Sequence, residues 1–520
     1  MQNYGMASAN WPPTTMATQH PDNASAPWWK EDGSAFISTQ DEIGELLLLF
    51  REFPMDEYMW DWEGKYVDEA VGEKIYSQAQ DFFMQRPLGQ QLHLTFRIPA
   101  FDESKMHRMA RAFMNLLSLS DLAQEIGMPS PPVKEMFLPL TTDAQQLITI
   151  HETFNKVAQY HSSIFHETSS KHDALLNQFQ VTPLVEDVDS MFGIENILKP
   201  FWEMLKKKRG DMSATGQRVF LARSDPALNS GLVPAVVANK VAISKAIRLG
   251  EDMGFPVYPI IGTGSLPFRG SVNPQYTQEF LDQYAGVRTY SIQSAFRYDY
   301  PKEDVRKALD IMKTEVPKRT VQHVSQEDCE NLRKLSDIFS IYWKPTVEGL
   351  AGVINNIANF VPKRRERLLH IGLFGYSRGV GKVQLPRAIG FTCALYSLGL
   401  PPEIIATGRG LRDAREQGLL HILEKYYPAL KTDLEHAGKY VNRENIELAA
   451  KTNQAFRSAL EDLKGVEEYL GKELGPQKSH HMIHRNITST IFHRLQKDEM
   501  DSESITHDIV EAGKIRRSLG

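Results

Sequence analysis

The residues of this chain that could do chemistry stand mostly at the ends of short apolar runs, with one set apart near the N-terminus. That one is His20, in the stretch TTMATQHPDN (14–23). A residue before proline is driven out of the α region, so the step to Pro21 predicts rigid, extended backbone around the imidazole. Downstream, Arg97 ends LHLTFRIP (92–99), Thr141 and Thr142 end KEMFLPLTT (134–142), and Glu186 and Asp187 end FQVTPLVED (179–187). Asp225 ends RVFLARSD (218–225), and a loop GTGSLPFRG (262–270) carrying Arg269 follows PVYPII. Gln293 and Arg297 lie near the end of SIQSAFRYD, Arg378 ends LLHIGLFGYSR (368–378), and Arg387 follows at a helix start.

Carboxylates on neighbouring strands are the usual ligands of a hard, octahedral cation such as Mg²⁺ or Mn²⁺. Arginines grip carboxylate and phosphate through paired N–H groups. A glycine-rich loop lets backbone N–H groups approach an anion closely. Together these describe a pocket for a small, highly charged phosphorylated carboxylic acid held on a metal. Singly, each has a plainer reading. An Asp or Glu after a strand is more often a helix cap, a lone arginine is usually solvated, and GTGSLPFRG matches no Walker pattern and alone reads as a turn. The coincidence of all of them carries the expectation.

The elements that must position these residues follow from periodicity. Continuous apolar and β-branched runs suit strands buried on both faces, as in parallel sheets. Seven such runs alternate with helical segments, among them 234–254, 301–316 and 384–400. This predicts an α/β fold, a (β/α)8-type barrel with many additional helices. In a barrel the catalytic groups gather at the C-terminal ends of the strands. No GxGxxG follows the first strand, which argues against a dinucleotide fold. The stretch 55–83 reads as helical, and 435–474 as a helical hairpin or long helices. Residues 1–17 are expected to be a flexible leader, with Met6 or Met16 as alternative starts. Residues 18–520 are expected to be one catalytic barrel domain, mostly helical from about 401 to 520.

Bulk composition narrows the class. The chain has 520 residues, a formal charge of −6 and two cysteines, Cys329 and Cys393. There is no basic footprint for nucleic acid, no disulfide framework, and no apolar run long enough for a membrane span or a signal peptide. The expectation is a cytoplasmic protein with no nucleic-acid or membrane partner.

TMATQHPDN, MWDWEGKYVD, LTFRIP, QRVFLARSDPALNSG, PIIGTGSLPFRG, SIQSAFRYDYP, GYSRGVGKVQLPRAIGFTCALYSLGLPPE and the terminal IRRSLG, taken in order, resemble the archaeal-type phosphoenolpyruvate carboxylases. The resemblance implies conversion of phosphoenolpyruvate and bicarbonate to oxaloacetate and phosphate with Mg²⁺ or Mn²⁺, replenishing C4 acids. The steps implied pass through carboxyphosphate and the enolate of pyruvate. It also implies a homotetramer. By motif, His20 matches an essential histidine, although Asp22-Asn23 replaces the Thr-Glu of the larger enzymes. Glu186 and Asp225 match metal ligands. Arg97, Arg378 and Arg387 match substrate-binding arginines, and Arg269 a catalytic and substrate-binding loop arginine, in a loop shorter than that of the larger relatives. In those relatives the chain end lies near the site and helps bind inhibitors such as aspartate or malate. The alternatives are another metal-dependent phosphoenolpyruvate or pyruvate barrel enzyme (a mutase, aldolase or phosphotransferase) and an inactive scaffold.

Overall fold

The computed structural model describes residues 11–63, 65, 67–165, 179–366, 378–380, 383–497 and 501–520. Eight parallel strands close a barrel in chain order: β1 (Thr15–Thr18), β2 (Glu57–Asp61), β3 (His93–Arg97), β4 (Glu135–Leu138), β5 (Gln180–Val185), β6 (Gln217–Ala222), β7 (Val257–Gly262) and β8 (Thr289–Ile292). β8 returns to pair with β1, Tyr290 opposite Thr15. Parallel strands need a crossover each time, and helices supply it, so nearly every strand residue is buried.

The barrel interior is layered by the two-residue strand period. Met16, Met59, Phe137, Leu184, Phe220 and Ile260 form one buried cluster inside. Towards the strand starts lies an ionic layer. Arg218 donates to Glu57 at 2.7 Å and to Glu135 at 2.6 Å, and Thr95 donates to Glu57 at 2.7 Å. The Trp11 ring lies 5.5 Å from the Arg218 guanidinium and covers that end. Counting two residues towards the strand ends, the same parity leads from Met59 to Asp61, from Thr95 to Arg97 and from Leu184 to Glu186. One register therefore aims the polar groups of several strands at the C-terminal mouth.

Six of the seven sequence-read strands are barrel strands β3 to β8. The seventh, 368–378, lies outside the described residues except for Arg378. That residue begins a small antiparallel ribbon, Arg378–Val380 with Val383–Leu385, apart from the barrel. The true first two strands were read otherwise. Thr15, Met16 and Ala17, expected in a flexible leader, are fully buried in β1. Only Met16 and Ala17 of its four residues are apolar, so it forms no continuous apolar run. The leader's first ten residues lie outside the described residues. In 55–83, expected to be helical, residues 57–61 are β2 and the helix runs only over Val71–Gln85. Glu57 and Asp61 interrupt the apolar run, but both point inward to a buried arginine.

The helices at 234–254, 301–316 and 384–400 appear as Leu232–Met253, Lys302–Glu315 and Ala388–Ser397. A second apolar core joins Leu232–Met253, the 33-residue helix Gln326–Ala358 and the helices beyond 401. Residues 435–474 are three helices, Leu430–Gly438, Arg443–Ala450 and Gln454–Leu470. Asn442 and Asn453 cap the second and third and so break what looked continuous.

Candidate active site

The first strand ends in the segment that carries His20, and that segment is held throughout. The half-buried His20 ring lies 3.0 Å from Thr18 Oγ1, and its carbonyl accepts from the Ser294 hydroxyl at 2.7 Å. Asp22 accepts from the Ala295 N–H at 2.7 Å. Asp299 accepts from the N–H groups of Ala24 and Ser25 at 2.7 and 2.6 Å. Burial pushes the Asp299 carboxyl up to about 7 despite those two donors. Arg364 closes the other side on the Asn23 and Ala24 carbonyls. The backbone around His-Pro is thus fixed to the end of β8.

Arg269 is the centre of the site. The residue is 1% exposed, and its guanidinium is satisfied by four separate parts of the chain. It donates to Asp22 at 3.1 Å, Gln293 at 2.6 Å, Ser224 at 3.1 Å and the Gly520 carbonyl at 2.5 Å. Burial draws its pKa down, opposed by the charges of Asp22 and Asp225. Arg387, which precedes the helix Ala388–Ser397, is near enough to act on the same group. A Cβ at Gly264 would lie 2.7 Å from the Arg269 Cζ, so a larger residue there would displace the guanidinium.

Arg97, at the end of β3, forms a fork with Asp61 at the end of β2, at 2.9 and 2.7 Å. Burial opposes its charge, but Asp61 outweighs this and raises its pKa, with Glu186 and Glu63 adding to the effect. Glu186 follows β5 and accepts from the Leu140 N–H at 2.9 Å. Leu140 holds φ at +54°, a left-handed backbone uncommon for leucine. Asp225 sits in the first turn of Ser224–Ser230, directly after β6. Strands β5 and β6 are neighbours, so Glu186 and Asp225 emerge at one end of adjacent strands. Two hard oxygen donors fit a Mg²⁺ or Mn²⁺ that takes its other ligands from water and substrate. Among the described residues no group of three or more His, Cys, Asp or Glu forms a full protein cage.

Of the sequence-read candidates, Arg269 and Gln293 meet directly, with Asp225 and Arg387 within electrostatic reach. Arg97 and Glu186 form a second group. Arg297 belongs elsewhere. It is buried against Glu45 at 3.2 Å and the Ile292 carbonyl. Glu45, facing Arg365 and Arg297, is held down to about 2 although its burial opposes this. Asp187 caps the helix Val188–Phe192 through Ser190, the plain reading of a strand-end acid. The Thr141 hydroxyl closes its own turn on Leu138. The side chain of Arg378 lies outside the described residues. Sequence reasoning did not single out Asp22, Asp61 or Glu63 as site residues, while the resemblance pointed to the chain end. The two-residue spacing of Asp61 and Glu63 was the available signal for that pair. Leu519 N–H donates to the Asp22 carbonyl at 2.8 Å, and the last three residues are buried. No spacing in the sequence announces that contact.

Comparison with known proteins covers nearly the whole chain. The family model described as phosphoenolpyruvate carboxylase matches residues 13–520. The phosphoenolpyruvate carboxylase of Leuconostoc mesenteroides is 34% identical over 508 residues, covering 98% of this chain and 99% of that protein. That of the archaeon Metallosphaera sedula is 34% identical over 520 residues, covering 98% and 99%. That of Oenococcus oeni is 33% identical over 481 residues, covering 92% and 94%. A match that begins just before β1 and runs through the buried chain end takes in every strand of the barrel and every group around Arg269. The chain therefore belongs to the phosphoenolpyruvate carboxylase family, in its archaeal-type branch.

Proposed function

We propose that this protein carboxylates phosphoenolpyruvate with bicarbonate, giving oxaloacetate and inorganic phosphate. The observation that carries the reading is the family match across the whole barrel and its helical surround. The site's chemistry supports it: buried arginines beside a carboxylate pair, and a histidine in immobilised backbone. A bicarbonate oxygen attacks phosphorus, the enol C–O–P bond breaks on the enol-oxygen side of phosphorus, and carboxyphosphate and the pyruvate enolate result. Carboxyphosphate releases CO₂ and phosphate, and the enolate carbon attacks CO₂.

Arg97 and Arg387, with Arg378, bind the carboxylate and phosphate of the substrate. Arg269 faces the charge that develops on carboxyphosphate and the enolate. Fixed donors of this kind typically contribute about 10²–10³ in rate. Glu186 and Asp225 would hold Mg²⁺ or Mn²⁺, which supplies positive charge at the substrate oxygens when bound. His20 accepts the bicarbonate proton or donates to carboxyphosphate. Exclusion of water matters because water would protonate the enolate to pyruvate. The same reading carries a homotetramer, a cytoplasmic location and inhibition by acids such as aspartate or malate. No helix among the described residues is long and apolar enough to cross a membrane.

The test follows oxaloacetate through malate dehydrogenase and NADH, with and without bicarbonate and with the metal chelated. Output that needs both bicarbonate and metal, with phosphate released one for one, is expected. His20→Asn is expected to consume phosphoenolpyruvate in a bicarbonate-dependent way yet yield little oxaloacetate. Undiminished oxaloacetate from that variant refutes the role of His20.

A further inference from the structure

The loop that carries Arg269 is held in an unfavourable backbone conformation. Gly270 has φ +120° and Ser271 has φ +60°. Positive φ at a serine costs energy and persists only where the surroundings enforce it. Within the loop, Gly264 N–H donates to the Arg269 carbonyl at 2.8 Å and Val272 N–H to the Gly264 carbonyl at 3.1 Å. Two buried carboxylates approach it from outside the barrel. Glu403, in the turn after Ala388–Ser397, accepts from the Phe268 N–H at 2.7 Å and from the Tyr396 hydroxyl at 2.8 Å. Asp433, in Leu430–Gly438, accepts from the Ser271 hydroxyl and from the Tyr427 hydroxyl. Arg223 donates to the Phe268 carbonyl at 3.2 Å. Residue 268 is therefore fixed through both its N–H and its C=O, immediately before Arg269. The two carboxylates bond the residues on either side of Arg269 rather than its guanidinium.

We infer that Glu403 and Asp433 are positioning residues for Arg269, a clamp built by the C-terminal helices that sets the loop against the barrel mouth. The inference rests on the carboxylase reading. Glu403 is fully buried, and its second oxygen has no hydrogen-bond partner among the described residues. A simple stabilising ion pair would not look like this. The group acts as a hydrogen-bond acceptor for one peptide and one tyrosine. Burial pushes Glu403 up to about 7 and Asp433 up to about 6, opposed by these same donors. Glutamine at 403 has the shape of the protonated acid and keeps an acceptor oxygen for Phe268 and Tyr396.

The test is the partition of each turnover between oxaloacetate and pyruvate, measured with kcat on Glu403→Ala, Glu403→Gln and Ser271→Ala in the full chain. A shifted Arg269 lets the enolate be protonated before it meets CO₂, so pyruvate rises. Loss of folded protein lowers both products equally and leaves their ratio alone, so the ratio separates positioning from stability. Glu403→Ala is expected to lose about 10- to 100-fold in kcat, the scale of a misplacement near 1 Å, with a raised pyruvate fraction. Glu403→Gln is expected to restore both, and Ser271→Ala to raise the pyruvate fraction in protein that folds. Unchanged ratios in both Glu403→Ala and Ser271→Ala overturn the inference, as does a Glu403→Gln as defective as the alanine variant. If Glu403→Ala fails to fold, Ser271→Ala and Glu403→Gln decide. Failure of the carboxylase reading shows separately, as no bicarbonate-dependent oxaloacetate from the unsubstituted protein.

Discussion

Replacing Asp22 by asparagine tests how the site is organised, because Asp22 is a buried carboxylate in salt-bridge contact with Arg269. The change is nearly isosteric. Asparagine keeps an oxygen for the Ala295 N–H and Ser294 hydroxyl, now 2.7 and 3.2 Å from Asp22. Its amide nitrogen would then face the Arg269 nitrogen now 3.1 Å from Asp22 Oδ2, placing donor against donor. The direct partners left to Arg269 are Gln293, Ser224 and the Gly520 main-chain oxygen. A hydrogen bond to a charged group contributes about 1.5–3 kcal/mol. At about 1.4 kcal/mol per factor of ten, the expected loss is roughly 10- to 150-fold in kcat. The assay is steady-state oxaloacetate formation with phosphate release in parallel, on protein whose circular dichroism matches the parent. A kcat within about twofold of the parent, below one hydrogen bond's worth, refutes the claim that Asp22 sets Arg269.

Deleting Ser518–Gly520 removes the Gly520 contact to Arg269 and the Leu519 contact to Asp22. It should lower kcat by at least about tenfold, the scale of one charged hydrogen bond, while unchanged kinetics would make the buried end a packing feature only. Arg218→Met strands Glu57 and Glu135 together inside the barrel. Removing one partner of a buried ion pair costs about 3–5 kcal/mol, so a clearly lower thermal midpoint is expected, and an unchanged one would contradict the layer's role. His436 is buried with its pKa lowered to about 3, by burial first and then by Lys439 and His481. The unfolded chain takes a proton below about 6.5, so this contribution is complete above 6.5 and is lost as pH falls towards 3. Between pH 7.5 and 5.5 the parent should lose about 1.4 kcal/mol more than His436→Phe in urea unfolding. Equal losses would refute it.

How much of this was legible depends on where each residue's partner lies. Six barrel strands could be read because their apolar runs are continuous, a direct result of burial on both faces. β1 and β2 could not, since β1 has only Met16 and Ala17 apolar between threonines and β2 carries Glu57 and Asp61 where an apolar residue would mark a strand. Those charges are tolerated only because Arg218 and Arg97 arrive from other strands, 161 and 36 residues away. Arg269, Arg97, Glu186 and Asp225 could be listed as candidates because strand ends are local features. Which of them act together could not. Arg297 and Asp187 stood at equally good strand ends, and the first turned to Glu45 while the second capped a helix.

The amino-acid order alone determined the alternation of strand and helix and the charged inventory of the strand ends, both consequences of short-range periodicity. Only the closed barrel decided that Asp22, Arg269, Gln293 and Gly520 share one guanidinium, and that Glu403 and Asp433 reach the loop behind it. Those contacts join residues up to 251 positions apart. No local pattern encodes such a distance, because it is set by the packing of the helical layer on the barrel.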